Sequence, residues 1–375
     1  MNDLVLKGGR VIDPSQGLDK IADIAFAGGK VAAIGDGLVG KDMRDVTGKI
    51  VCPGLIDLHT HVYWGGTSLG VDAEVLARTG GVTTFIDAGS AGPGNFPGFR
   101  RHVIERSAVR ILPFLNVSFP GIFAFSRAVM VGESSDMRLL DPREAVRVAR
   151  EHKDLVLGIK VRVGKSASGD SGIMPLDIAL DVAEETGLPL MAHLDAPPPA
   201  GHEVVSRLRK GDILTHCFRP FPNAPVRPDG RVREEILAAR QRGVIFDIGH
   251  GSGSFGFGTT RNMLAADFLP DVVSSDVHAI SIDGPAFDLL TTMSKFLCLG
   301  IDLPTVIGLA TANAAGAIRR PDLGTLKIGS IGDATVVDLK SGMYDYADAI
   351  GERMMGDKRL LSAGVVLAGR WWHPS

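Results

Sequence analysis

Residues 155–163 read LVLGIKVRV. The run is apolar and β-branched without strict alternation, the pattern of a strand covered on both faces. Lys160 stands in its middle. An ammonium buried there costs several kcal/mol of desolvation, so its pKa is driven down toward the neutral amine, a nucleophile. The alternative is an exposed strand end from which Lys160 reaches water. The neighbouring segments decide between these readings.

Similar runs recur along the chain. GLIDLHTHV (54–62), VTTFIDAG (82–89), ILPFLNVS (111–118), LPLMAHL (188–194), DILTHCF (212–218), VIFDIGHG (244–251) and VVSSDVHA (272–279) bring the number of expected strands to eight. Helical segments fall between several of them. DPREAVRVAREHK (141–153) opens with Asp and Pro and carries cations near its end. PLDIALDVAEETG (175–187) and RVREEILAARQRG (231–243) each end in a C-cap glycine. Apolar strands alternating with helices predict an α/β fold, a closed (β/α)8 TIM barrel over 53–323 with its active groups at the C-terminal strand ends. Residues 1–52 and 324–375 are glycine-punctuated β segments, expected to pair in one small composite β domain.

Composition narrows the function classes. The chain has 375 residues, 45% hydrophobic and 22% charged, with a net charge of −3. That balance offers no basic footprint for nucleic acid or anionic membrane, and points to a small-molecule substrate. No apolar run approaches a membrane span, and the first residues do not read as a secretory signal. Three separated cysteines, Cys52, Cys217 and Cys298, fit a reducing cytoplasm.

Polar residues interrupt the expected strands near their C-terminal ends. His59 and His61 lie two apart and so share one side of the first strand. Lys160 is on the fourth, His193 on the fifth, His216 on the sixth and Asp276 on the eighth. A single strand histidine is more often a satisfied core residue than a ligand. Six such groups at one end of a barrel would leave many buried polar atoms to satisfy together, which a metal centre does.

This ordered set resembles the amidohydrolase superfamily, in its binuclear branch with a carboxylated lysine. HTH (59–61) is similar to that family's HxH, PGLIDLHTH to its lead-in, and GTLKIGSIGDATVVDL to its return into the small β domain. The resemblance implies a (β/α)8 barrel carrying a small β-sandwich built from both termini, two divalent metal ions, and a CO2-derived carbamate on Lys160 bridging them. His59, His61 and Asp276 would hold one ion, His193 and His216 the other. Zinc suits the mixed imidazole and oxygen donors, with manganese, iron and cobalt as alternatives. It further implies hydrolysis at a carbonyl by a metal-bridging hydroxide, with Asp276 as general base and then acid.

Dihydroorotases in this superfamily carry HxHxR, the arginine gripping a substrate carboxylate. This chain reads HTHVYW, with Tyr63 in that place. GGRVIDP, HTHVYWGG and GIKVR are closer to the dihydroorotase-like deacetylase group, which implies removal of an acyl, often acetyl, group from a small amide or ester. The alternatives are a cyclic amide hydrolase of the dihydroorotase, hydantoinase or allantoinase kind, and a non-catalytic structural relative. Every ligand position is filled, which argues against the last.

Arg162, two beyond Lys160, is expected to face the same way and grip a carboxylate; Arg219, three past His216, is a weaker candidate. Tyr63 and Trp64 are candidates for an aromatic pocket wall. GHGSGSFGFGTT (249–260) lacks the GK[ST] of a phosphate-binding loop and reads as a substrate loop, in which His250 could orient the carbonyl or leaving group. His278 shares a strand face with Asp276. His102, His152, His202 and His373 receive no role. The insertion 119–140 is expected to cover the barrel mouth or a contact in a homo-oligomer.

Overall fold

The computed structural model describes residues 1–372; His373 and the end of the 324–375 segment lie outside the described residues. Two sheets organise the chain. The first is built from its two ends: β1 (Asn2–Asp13), β2 (Leu18–Ala27), β3 (Lys30–Gly35), β4 (Gly40–Asp45) and β5 (Ile50–Pro53). The second is parallel and begins directly after Gly54 with β6 (Leu55–Thr60), β7 (Val82–Ala88) and β8 (Arg110–Asn116). A hairpin of β9 (Ala124–Phe125) and β10 (Met130–Val131) interrupts it. It resumes with β11 (Gly158–Val163), β12 (Leu190–Leu194), β13 (Ile213–Leu214) and β14 (Ile245–Phe246). The chain then returns to the first sheet through β15 (Ala334–Ala347), β16 (Arg353–Leu367) and β17 (Arg370–Trp372).

The first sheet runs β17-β16-β15-β5-β1-β2-β3, with β4 also on β1. It is one hydrogen-bonded network, in which β1 joins two groups of strands. The length of β1 allows this. Its first half pairs with β4, and past a bulge at Leu6/Gly9 Arg10 and Val11 pair with β5. A side chain at Gly9 would collide with Val51, so the bulge needs glycine there. The β15–β16 hairpin packs against the helix Leu289–Cys298, where Leu360 N–H donates to Ser294 Oγ at 2.9 Å.

The parallel sheet has seven strands in chain order, β6 to β14, every residue of β6, β7 and β11 being buried. Apolar character on both faces follows from helices packed outside and side chains filling the inside. The helix Pro142–Glu151 starts where expected: Asp141 accepts from Arg143 N–H at 2.9 Å and turns Ala145, Val146, Val148 and Ala149 inward. Met174–Thr186 ends at Gly187, in the left-handed conformation at φ 69°.

The expected sixth and seventh strands shrink to two residues each, and the expected eighth is not a strand. His216 (φ 61°), Gly249 (φ 46°) and Asp276 (φ 47°) adopt left-handed backbone, which breaks an extended ladder. Residues 272–277 nevertheless run between the two outer strands. Ile248 N–H donates to Val272 O (3.1 Å) and His250 N–H to Ser274 O (3.2 Å). On the other side Asp276 N–H donates to His59 O (2.8 Å) and His61 N–H to Val277 O (3.1 Å).

Candidate metal centre

His59 is the fifth residue of β6, and His61 follows just beyond its end. Lys160 lies within β11 and His193 within β12; His216 follows β13 by two residues. Asp276 comes from the segment between β14 and β6. The structure brings these six groups to one place and encloses them, Lys160 at 0% exposure and Asp276 at 7%. His59, His61 and Asp276 bring one donor atom each within 4.8 Å of one another. Both histidines place Nε2 3.3 Å from Asp276 Oδ1. His216 Nε2 lies 4.0 Å from Asp276 Oδ2 and 2.7 Å from His193 Nδ1.

The hydrogen-bond network assigns the protons. Thr215 Oγ1 donates its only hydrogen to Asp247 Oδ2 (2.7 Å), so it accepts from His59 Nδ1, also 2.7 Å away. Ser90 bonds through its side chain to Asp87 and accepts from His61 Nδ1 at 2.9 Å. His216 Nδ1 faces Gly249 O at 2.6 Å and must carry its proton there. Burial pushes all three imidazoles, and His193, well below the ordinary histidine range, His61 to about 3, so each carries one proton only. Nε2 of His59 and His61 is therefore a bare lone pair, and that of His216 a lone pair 2.7 Å from His193 Nδ1. Lone pairs and a carboxylate facing each other across 3.3–4.0 Å repel unless a cation lies among them. Asp276 Oδ1, His193 Nε2 and Lys160 Nζ are buried without a hydrogen-bond partner. The donor set fits a metal.

Desolvation lowers Lys160 to about 7 and raises Asp276 to about 6. Beneath them Asp57, raised to about 7 by burial, accepts from Ser275 N–H (2.9 Å), Ser275 Oγ (2.5 Å) and His59 N–H (3.4 Å). It holds the Asp276 segment against β6. Neither Asp57 nor Asp247, a strand residue flanked by apolar neighbours, announces this role in the sequence.

Three glycines let the backbone come this close. A Cβ at Gly89 would stand 2.6 Å from the Lys160 side chain, and one at Gly249 2.8 Å from His216 Nδ1. At Gly251 (φ +55°) it would stand 2.3 Å from Asp276 Oδ2. Gly251→Ala is expected to displace that carboxylate and lower kcat about 100-fold. Steady-state kinetics on metal-loaded variant checks this; unchanged kcat would mean Asp276 is not held from that side.

Phe125, from the hairpin in 119–140, roofs the centre, its ring 5.6 Å from that of His278. The guanidinium of Arg162 lies over the same ring at 4.7 Å, and its Nη1 faces Glu133 Oε2 at 3.5 Å. Arg162 does share Lys160's side, as period two requires, but its charge already faces a buried carboxyl. Glu133, 29 residues upstream, carried no sequence signal for this contact. The space above the ligands, lined also by Leu69 and His278, is only about 30 Å3.

Three expected residues go elsewhere. Tyr63 does not line this space: it stacks on Phe99 at 4.5 Å and donates to Asn95 O at 3.3 Å. The strand ends at Thr60, so alternation no longer governs where Tyr63 points. Trp64 is 62% exposed and forms no pocket wall. His250 is fully buried away from the centre, with Nδ1 against Gly251 O (2.9 Å) and Nε2 against Lys295 Nζ (2.7 Å). Both of its ring nitrogens have protein partners.

No family model matches the chain. A deacetylase of Agrobacterium fabrum is 34% identical over 334 residues, covering 88% of this chain and 81% of the relative. A deacetylase of Enterococcus faecalis is 28% identical over 374 residues, 98% of each. The crystal structure of a dihydroorotase superposes with TM-score 0.91 at 31% identity over 99% of both chains. That of an adenine deaminase gives 0.92 at 28% over 100% of both. The chain belongs to the dihydroorotase-like deacetylase group of the amidohydrolase superfamily. The name of each relative describes that relative's activity. What this amidohydrolase shows in its own atoms is a buried group of histidine and aspartate donors fit for a cation, beside an unpartnered lysine amine.

Proposed function

We propose that this amidohydrolase removes an acyl group, acetyl first among them, from a small amide or ester that bears a carboxylate. The observation that carries the reading is the convergence of bare imidazole lone pairs and the Asp276 carboxylate beside the Lys160 amine. His59, His61 and Asp276 would hold one divalent cation, and His193 and His216 a second, zinc fitting the donors. The neutral amine of Lys160 would add to CO2, forming an N–C bond and releasing a proton, and the resulting carbamate would supply an anionic ligand to both cations. When bound, such a pair lowers the pKa of water and polarises a carbonyl.

The chain's own groups do the rest. Asp276 takes a proton from the attacking water and returns it to the leaving nitrogen or oxygen. Thr215, Ser90 and Gly249 O keep three imidazoles in the tautomer that presents Nε2. Phe125, Arg162 and Glu133 shield the centre from bulk water. The bonds that residues 272–277 make to β6 and to the loop after β14 support closure of the parallel sheet as an eight-stranded barrel. Three unpaired cysteines fit a cytoplasmic enzyme, and no helix among the described residues is long and apolar enough to cross a membrane.

The likeness to a dihydroorotase structure favours cyclic amides as the second reading. A hydrolysis panel on zinc-loaded enzyme separates the two. N-acetyl amino acids and O-acetyl hydroxy acids of both hands are expected to turn over, with dihydroorotate, hydantoins and allantoin left intact. Turnover of a ring substrate alone would replace the first reading with the second.

A further inference from the structure

Beside the metal centre lies a larger space of about 270 Å3, between the loops after β12 and β13 and the helices Gly201–Arg207 and Glu234–Arg242. His216 lines both this cavity and the small space above the ligands. The latter has room for little more than a water. An acylated acid must therefore lodge most of its atoms elsewhere.

The walls of the larger cavity are mainly apolar, with Leu194, Val205, Leu214 and Ile236 among them. Of its polar groups, Asn223 is spent on the loop itself, its Nδ2 donating to Asp195 O (2.8 Å) and Pro199 O (3.2 Å) and its Oδ1 accepting from Gly201 N–H (2.9 Å). Arg233 donates Nε to Ala224 O at 2.9 Å. Arg219 is different. It is 8% exposed, and both Nε and Nη1 are enclosed without a hydrogen-bond partner. Among the described residues no carboxylate lies within 4.0 Å of it, neither Asp195 in the adjacent loop nor Glu235 across the cavity. A guanidinium cannot shed its charge, so a buried one without a partner is a cost that a bound anion removes. Arg162 also leaves its Nε without a partner, but its Nη1 faces Glu133 Oε2 at 3.5 Å.

We infer that Arg219 is the residue that grips the substrate carboxylate, and that the cavity beside it receives the apolar remainder of the acid. This rests on the acyl-hydrolase reading above and deepens it. The substrate class is an acylated carboxylic acid with a branched or aromatic side chain, a carboxylate meeting the forked donors of Arg219. The acyl carbonyl then lies toward His216 and the ligand cluster, and Arg162 is released from the role that its strand position suggested.

The test uses the zinc-loaded, full-length enzyme with N-acetylphenylalanine and its methyl ester. Arg219→Met is expected to lower kcat/KM for the free acid about 10- to 100-fold, mainly through KM, with the ester changed far less. Arg219→Lys restores part of the loss. Equal losses on acid and ester, or an acid-specific loss in Arg162→Met instead, would overturn the assignment. Calorimetric binding of phenylacetate gives an arm that does not depend on catalysis. It should bind wild type, bind Arg219→Met at least about tenfold more weakly, and be obstructed by Ala200→Leu, which narrows the cavity. Undiminished phenylacetate binding to Arg219→Met sinks the inference even if acetyl compounds are hydrolysed. Arg219-dependent binding without any acetyl hydrolysis upholds this site and sinks the proposed reaction. Should Arg219→Met fail to fold, Arg219→Lys and Ala200→Leu answer the same questions.

Discussion

Lys160→Met is expected to abolish turnover, by at least about 1000-fold given the several kcal/mol that metal activation supplies, while leaving the metal-free protein as stable as the parent or more so. The two halves of this result come from one observation. The amine is fully buried and has no hydrogen-bond partner, so as a structural group it is a liability, and an apolar side chain of similar length fills its place at no polar cost. In its proposed role as the precursor of an anionic ligand it would have no substitute. A pH titration of stability sharpens the point. Burial takes Lys160 from an ordinary value of 10.5 to about 7. Between those values the unfolded chain holds a proton that the folded protein lacks, so stability of metal-free protein rises with pH across that window. In Lys160→Met this contribution to the slope disappears. Thermal melts of metal-free parent and variant, with bound zinc and kcat measured after reloading, check all three statements. A variant that melts far below the parent and keeps its zinc would show that the lysine is structural.

Asp276→Asn should cost about 100- to 10,000-fold in kcat, the range of general acid–base catalysis, with a much smaller change in KM. The amide keeps the shape of the side chain and an oxygen for the histidine cluster, but it cannot carry a proton between water and leaving group. Asp276 stands in left-handed backbone (φ 47°), its segment pinned to Asp57 through Ser275. The surroundings therefore impose its placement, and loss of chemistry can be told from loss of position. Asp276→Ala should lower zinc content as well as kcat, whereas Asp276→Asn retains more of the metal. Full kcat in the asparagine variant would remove Asp276 from the proton path.

The expected strands 54–62, 82–89, 111–118 and 155–163 are those the fold extends furthest. Those carrying His216 and Asp276, and 244–251 between them, are the ones it cuts short. A hydrophobic run reports burial, and it reports extension only while the backbone stays in the β region. Two ligands sit where it does not. The same limit explains Tyr63: its place after HTHV suggested a site residue, but the strand had ended. The GHGSGS stretch was legible as a loop at the site. Its working residues are Gly249 and Gly251, which admit His216 and Asp276, and not His250, which is tied to Lys295.

By itself the sequence determined which groups could not be comfortable in a core. A lysine inside LVLGIKVRV and two histidines two apart in a buried strand carry a desolvation cost wherever they stand, because that cost belongs to the side chain and its local burial. Only the tertiary structure decided what answers each of them. Thr215 and Ser90 behind the imidazoles, Glu133 across from Arg162 and the absence of any such partner at Arg219 are contacts between segments distant along the chain. Hydrogen bonds and ion pairs act over a few ångströms, and only the folded chain brings such segments that close.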